Sequence, residues 1–335
     1  MNLLYFSCHA ILEYDELKIF EELGINYFSL GSYVNPRQPV DPIRPALNHV
    51  PDEWLYHHAP DRRNIPQEFI DKFDIIVIMD YPGHENWIPI NWDKFKGKIV
   101  IWRSIGQSNT KHEQQLWEYR QKGLKIVRYS FREANVEGTI GSDKVIRFYK
   151  DPNEFNLWNG VNKEVITFAQ DMKTRAEYCN YDTFLKIVDG FNAKIYGPKN
   201  QSSADLNGGF LTYDALRQKM RDSRVYIYTG TQPASYTLNF IEAWMTGIPV
   251  VAIGPEHGNS LKIAGETYEI QDYIQNGVNG FVSDDIDYLR KVTKLLLDDQ
   301  VLAKRIGDMG RQSAIKLFSK DIIKQQWANF LQIKT

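Results

Sequence analysis

The stretch YIYTGTQPASYTLNFIEAWMTGIPVVA, Tyr226 to Ala252, decides the fold. Val225 to Tyr228 is an apolar run of strand length, and a polar loop follows it. Leu238 to Thr246 then has helical apolar spacing, Gly247 stops it, and Val250 to Ile253 is a second apolar strand. Strand, loop, helix and strand in that order form a βαβ unit of a parallel sheet. In such a unit the loop leaves the carboxyl end of the strand, and the next helix offers free amides and the positive end of its dipole, a ready anion site. Ser235 and Thr237 can add hydroxyl donors to a phosphate there, and Glu242, about two turns further on, can accept hydrogen bonds from a sugar diol. A plainer reading stays open at this point: Ser235 or Thr237 only caps the helix, Glu242 is a solvated or core-paired helix residue, and Gly247 is an ordinary C-cap.

Outward from that segment the same alternation recurs. The first half predicts strands at Leu3–Phe6, Tyr27–Leu30, Asp74–Met79, Lys98–Trp102, Lys125–Tyr129 and Lys144–Phe148, with helices at Asp15–Leu23, Pro66–Lys72 and His112–Lys122. The second half predicts further strands at Val165–Ala169 and Ala193–Tyr196 and helices at Asp182–Val188 and Tyr213–Arg221. Beyond Asp285 the pattern is helical, with Ile286, Leu289, Val292, Leu295 and Leu296 on one apolar face and further helices through Val301–Phe318 and Ile322–Leu331. The turn-rich run from Asp151 to Gly160 reads as a connection between domains. We therefore expect an α/β chain with residues 1–155 as one Rossmann-like domain, 156–318 as a second, and 319–335 as a helix returning to the first.

At 335 residues, with 43% hydrophobic and 24% charged residues, the chain has material for two cores and not the composition of a disordered protein. The balance of 40 Lys+Arg against 42 Asp+Glu, net −2, lacks the charge excess of a dedicated nucleic-acid binder. Cys8 and Cys179 are too few for a disulfide framework or a zinc site, which fits a reducing compartment. The opening residues meet Glu13 and Asp15 early and have no basic stretch before them, so they read as a strand and loop and not as a signal peptide. No apolar run is long enough for a transmembrane span. The expected location is the cytoplasm, with any membrane contact peripheral. His57 and His58 lie in a proline-rich loop with no third ligand at metal spacing, and no metal is assigned.

The run Phe240-Ile-Glu-Ala-Trp-Met-Thr-Gly-Ile-Pro-Val-Val-Ala resembles the donor-site segment of retaining GT-B glycosyltransferases, family 4 and its relatives, in which Glu-Ala is followed by Gly-x-Pro-Val-Val. Glu269 to Asp285 is similar to that family's strand-entering turn, and Leu295 to Ser319 to its terminal helices, so the resemblance covers about the last third of the chain. It implies two Rossmann-like domains with parallel sheets facing across a cleft, a hexosyltransferase-like activity, a nucleoside-diphosphate sugar as co-substrate, no resident cofactor, no metal, and a carbohydrate, lipid-linked or other hydroxyl acceptor. It also implies that Glu242 binds ribose and that the amides of Ser235, Tyr236, Thr237 and Leu238 hold the diphosphate. The family has a further acid eight positions earlier, where this chain has Ala234.

Carried over in the same way, Lys173 and Arg175, just past the first strand of the second domain, form the cationic clamp for the leaving diphosphate; two basic loop residues can also be plain surface charge. Gly197 lies in a turn similar to the family's turn near the base, and Tyr213 can stack on a base or act as a hydrophobic staple at its helix. At strand ends of the first domain, His9, Asp80 and Arg103 are candidates for acceptor or phosphate contact, although Arg103 can equally bridge to Asp80. Trp87, Trp92 and Tyr33 are aromatics of first-domain loops, and His257 occupies a loop after Val250–Ile253. Two alternatives follow from Ala234 and from the fold class: a binding module without turnover, and an inverting transferase or nucleotide-sugar epimerase.

Overall fold

The computed structural model describes residues 1–30, 64–79, 87–106, 109–263 and 265–333. Contacts divide the chain into two units, Met1–Phe148 with Ile323–Thr335, and Tyr149–Ile322. Each is built on its own six-stranded, all-parallel sheet.

In the first unit the strands are β1 (Asn2–Ser7), β2 (Asn26–Ser29), β3 (Ile75–Met79), β4 (Ile99–Arg103), β5 (Lys125–Arg128) and β6 (Lys144–Val145), in the order β2-β1-β3-β4-β5-β6. β3 reads Ile-Ile-Val-Ile-Met and is buried at every position, because a central parallel strand is covered on both faces and needs no polar alternation. Leu4, Phe28, Phe69, Ile76, Ile78, Trp102 and Leu116 share its core. The first helix, Ala10–Glu22, begins five residues earlier than the apolar spacing predicts, since the side chain of His9 caps it by accepting the Leu12 amide. Part of its buried face is acidic: Glu13 accepts from Ser29 and Glu16 from Tyr5 and Arg103.

The second unit holds β7 (Asn162–Phe168), β8 (Ala193–Tyr196), β9 (Asn207–Gly209), β10 (Ser223–Tyr228), β11 (Val250–Ile253) and β12 (Phe281–Ser283), ordered β12-β11-β10-β7-β8-β9. β9 and β12 escape a periodicity reading because each is three residues long and β9 is Asn-Gly-Gly. Between β10 and β11 runs the Leu238–Thr246 helix, ended by Gly247 in the left-handed region at φ +91°. Only a glycine at 307 lets the Gln300–Phe318 helix approach that turn, because a Cβ there would lie 2.0 Å from the Gly247 carbonyl oxygen. In the Ile286–Asp298 helix the buried face is Leu289, Val292, Leu296 and Leu297; Leu295, expected on it, is 46% exposed because it lies off that stripe.

The connector from Asp151 is tied down by α-helical residues of its own unit. Arg311 donates to the carbonyls of Pro152, Phe155 and Met245, and Lys320 pairs with Asp151 at 3.1 Å. In the first unit, Trp327 of the Lys320–Phe330 helix is fully buried and meets Phe20 edge-on at 5.1 Å. Among the described residues no helix is long and apolar enough to cross a membrane.

Candidate active site

In an open parallel sheet, ligands gather outside the carboxyl ends of the strands where the strand order reverses. In the second unit that point lies between β7 and β10, which are hydrogen-bonded neighbours. The chain leaves β10 at Tyr228, runs through the loop predicted to grip an anion, and enters the Leu238–Thr246 helix beside the exit of β7.

A relay of polar side chains fixes this loop. Thr237 stands at the N-cap with extended backbone, yet its hydroxyl does not cap the helix. It contacts Asn239 Oδ1 and lies 3.3 Å from the hydroxyl of Tyr228, while Asn239 Nδ2 donates to the carbonyl of Phe168 at the end of β7. The Thr237 amide donates to Tyr228 at 3.0 Å. Burial drives the Tyr228 phenol well above its ordinary pKa, so it stays protonated and available as this partner. Of the amides expected to face a diphosphate, that of Thr237 is therefore already engaged. The amides of Leu238 and Asn239, in the first turn, have no acceptor among the described residues.

The side chains of the loop point inward. Tyr236 is 2% exposed, its ring edge-on to Tyr273 at 6.0 Å and to Phe318 at 5.4 Å, and Ser235 is fully buried with its carbonyl accepting from the Glu269 amide. Both residues support the loop from its buried side. Gln232 extends the support: its amide group donates to Ser260 Oγ at 2.8 Å and accepts from the Leu261 amide at 2.9 Å.

Lys173 and Arg175 follow β7. Lys173 is exposed and its ammonium donates to the Ser202 carbonyl at 3.0 Å; Arg175 contacts the Gln170 carbonyl at 3.4 Å. Among the described residues neither pairs with a carboxylate, so their positive charge is not neutralised locally. Their segment is held by Asn200, which accepts the Met172 amide at 3.0 Å and donates to the Ala169 carbonyl at 2.7 Å. Gly197, after β8, comes so close that a Cβ would lie 2.3 Å from that same carbonyl oxygen, and its φ is +139°. Its role in the structure is to let the two strand exits touch.

Tyr213, named as a base platform or a staple, reaches the connector. Its hydroxyl bonds Glu154, its ring meets Phe155 edge-on at 6.1 Å, and the Arg217 guanidinium sits 4.9 Å from its centre. These contacts bind the helix to the connector.

Glu242 lies in the helix's second turn, and its carboxylate pairs with Lys150 at 2.7 Å, with side-chain exposures of 10% and 1%. Lys150 carries no sequence signal, since it ends an apolar stretch and gains its partner across 92 positions. His257 donates or accepts at Nδ1 with Asp284 at 2.8 Å, and Asp284 also accepts the amides of Glu256 and His257, so the pair closes the turn after β11 onto the end of β12.

In the first unit, His9 follows β1 at that sheet's own reversal point, next to β3, and its Nδ1 accepts the Leu12 amide. Arg103, at the end of β4, is fully buried: Nε donates to Glu16 at 2.7 Å, and the guanidinium lies 4.5 Å from the Phe148 ring centre and 5.7 Å from that of Trp327. Among the described residues its ion partner is Glu16, and the Phe148 and Trp327 rings lie against its guanidinium. Asp80, Tyr33, His57 and His58 lie outside the described residues, as does the side chain of Trp87.

No family profile and no curated protein sequence matches the chain. Several solved structures do. HepE of Anabaena, in complex with UDP-glucose, has a TM-score of 0.62 at 15% identity, covering 99% of both chains. The sucrose-phosphate synthase of Thermosynechococcus elongatus has a TM-score of 0.69 at 11% identity, covering 99% of this chain and 98% of that one. A glycosyltransferase from Rickettsia africae has a TM-score of 0.68 at 13% identity, covering 99% and 97%. At these identities the likeness is one of fold, and with two parallel six-stranded sheets matched along nearly the whole chain, the protein has the GT-B fold of glycosyltransferases.

Proposed function

We propose that the protein is a glycosyltransferase that moves a sugar, hexose-like, from a nucleoside diphosphate to an acceptor hydroxyl with retention of anomeric configuration and without a metal ion. The observation that carries this reading is the anion site at the β7/β10 reversal point: unengaged amides of Leu238 and Asn239 at a helix N-terminus, with the unneutralised Lys173 and Arg175 on the neighbouring strand exit.

Such a site stabilises the negative charge that develops on a departing diphosphate, and fixed amides and cations do so without reorganising at the moment of reaction. In a front-face displacement, the bond from the anomeric carbon to the diphosphate oxygen breaks while the acceptor oxygen attaches on the same face, and the departing phosphate oxygen takes the acceptor proton. That sequence asks the protein for charge and position and not for a carboxylate base. Glu242 serves as acceptor for the ribose diol. UDP-glucose, held by HepE, is the first donor to test.

The test is a panel of UDP-, GDP- and ADP-sugars, scored by thermal shift for binding and by nucleoside diphosphate release for turnover. Release with any donor supports the enzyme. Binding without release across sugar and lipid-linked acceptors supports the second reading, a nucleotide-binding module, which Ala234 favours because it removes a carboxylate from the segment that resembles a donor site.

A further inference from the structure

We propose that Lys150 is a positioning residue for the nucleotide, holding the Glu242 carboxylate in place and aimed at the ribose diol. The inference rests on the donor-site reading above and adds to it a residue outside the donor loop and outside the resembling segment.

Three observations carry it. The Lys150 ammonium is 1% exposed and 2.7 Å from Glu242 Oε1. An ammonium taken out of water is tolerated only when a counter-charge and hydrogen bonds replace its hydration, so the pair is a unit and not a surface contact. Second, the lysine is built in from both ends: its main-chain amide donates to the Phe318 carbonyl at 3.0 Å, residues 150 and 319 form a parallel bridge, and the ammonium lies 5.7 Å from the Phe155 ring centre. Third, the helix turn that carries Glu242 is otherwise apolar and buried, with Phe240, Ile241, Ala243 and Trp244 all at 0% exposure, so the Glu242–Lys150 pair is set in a low-dielectric surrounding.

A vicinal diol presents two O–H donors, and an ionised carboxylate is an acceptor-only group that meets both. Without the Lys150 ammonium at 2.7 Å, the carboxylate loses the contact that sets its orientation toward the diol. Lys150 therefore acts on the ribose through Glu242 and never touches the nucleotide itself.

The experiment is calorimetric binding of UDP and of 2′-deoxy-UDP to the full chain as wild type, Lys150→Met, Lys150→Arg, Glu242→Gln and the double variant Lys150→Met/Glu242→Gln. In the wild type, UDP binds about tenfold more tightly than 2′-deoxy-UDP, the size of one charge-assisted hydrogen bond. Lys150→Met removes that preference while 2′-deoxy-UDP affinity stays within about threefold, Lys150→Arg restores most of it, and the double variant is no weaker than Glu242→Gln alone. Equal losses for both nucleotides assign Lys150 a purely structural part and overturn the proposal, as does an unchanged preference in Lys150→Met. Should that variant not fold, Lys150→Arg and Glu242→Gln still decide: loss of the preference in Glu242→Gln with retention in Lys150→Arg supports the pair, and no preference in the wild type overturns it. Wild-type protein that binds neither UDP, GDP nor ADP removes the donor site itself, an outcome distinct from all of these.

Discussion

Asn239, the second residue of the Leu238–Thr246 helix, donates its side-chain amide to the carbonyl of Phe168, the last residue of β7. The helix N-terminus is thereby bound to the neighbouring strand across the reversal point of the sheet, and the same side chain accepts from Thr237. The helix N-terminus proposed as the anion site is thus fixed by its own side-chain bonds, the condition for electrostatic stabilisation without reorganisation.

Asn239→Ala removes that tie and leaves the Phe168 carbonyl short of a donor. We expect a stability loss of about 1–2 kcal/mol in urea unfolding and a fall of about tenfold in UDP affinity by calorimetry. Unchanged affinity would show that the loop keeps its position without the tie.

Glu242→Ala and Glu242→Gln separate two parts of one residue. Alanine is a good helix former, but it removes the carboxylate that faces the buried Lys150 ammonium, so a loss of about 3–5 kcal/mol in stability accompanies any loss of binding. Glutamine keeps a hydrogen-bond acceptor for Lys150 and should melt closer to the wild type while UDP binding still weakens. Equal melting of the two variants would contradict the buried pair.

Arg103→Met tests whether that residue is structural. Glu16 would lose its cation and stay buried beside Tyr5, and the expected result is a drop of about 3–5 kcal/mol in unfolding free energy, with UDP affinity of the folded fraction unchanged. A stable variant with altered acceptor use would return Arg103 to the acceptor side.

Gly197→Ala brings a Cβ within 2.3 Å of the Ala169 carbonyl oxygen at a backbone angle that side chains avoid. The two strand exits must part, so the variant should lose about 2 kcal/mol or more and bind UDP more weakly, because Lys173 and Arg175 hang on the displaced segment. Wild-type values for both would show that the turn relaxes at no cost to the site.

Glu133→Gln gives a pH signature. Burial raises the Glu133 carboxyl above its ordinary 4.5, against the opposing pull of Arg128 and the Ser104 hydroxyl, and Arg128 is already held by both oxygens of Glu113. A raised folded-state pKa means that the folded protein holds a proton the unfolded chain releases, so this group contributes most at acid pH and its contribution declines as pH rises from 4.5 through the raised value. Glu133→Gln should therefore gain on the wild type in melting temperature between pH 4.5 and 7. A difference that is flat in pH would rule out the carboxyl as the source.

The alternating apolar runs determine the α/β class, because a buried parallel strand needs continuous apolar residues and a covering helix needs a 3.6-residue stripe; β3, β8 and β11 and the Leu238–Thr246 helix are legible from that alone. The position of the loop at a strand's carboxyl end is legible for the same reason. What tertiary structure alone decided is which charges meet: that Glu242 pairs with Lys150 and Arg103 with Glu16, that Tyr228 takes the Thr237 amide, and that Tyr213 serves the connector. Those partners lie 9 to 92 positions apart, at spacings that no helical or strand period relates, and a burial that makes an ion pair obligatory exists only once the sheets and their covering helices have assembled.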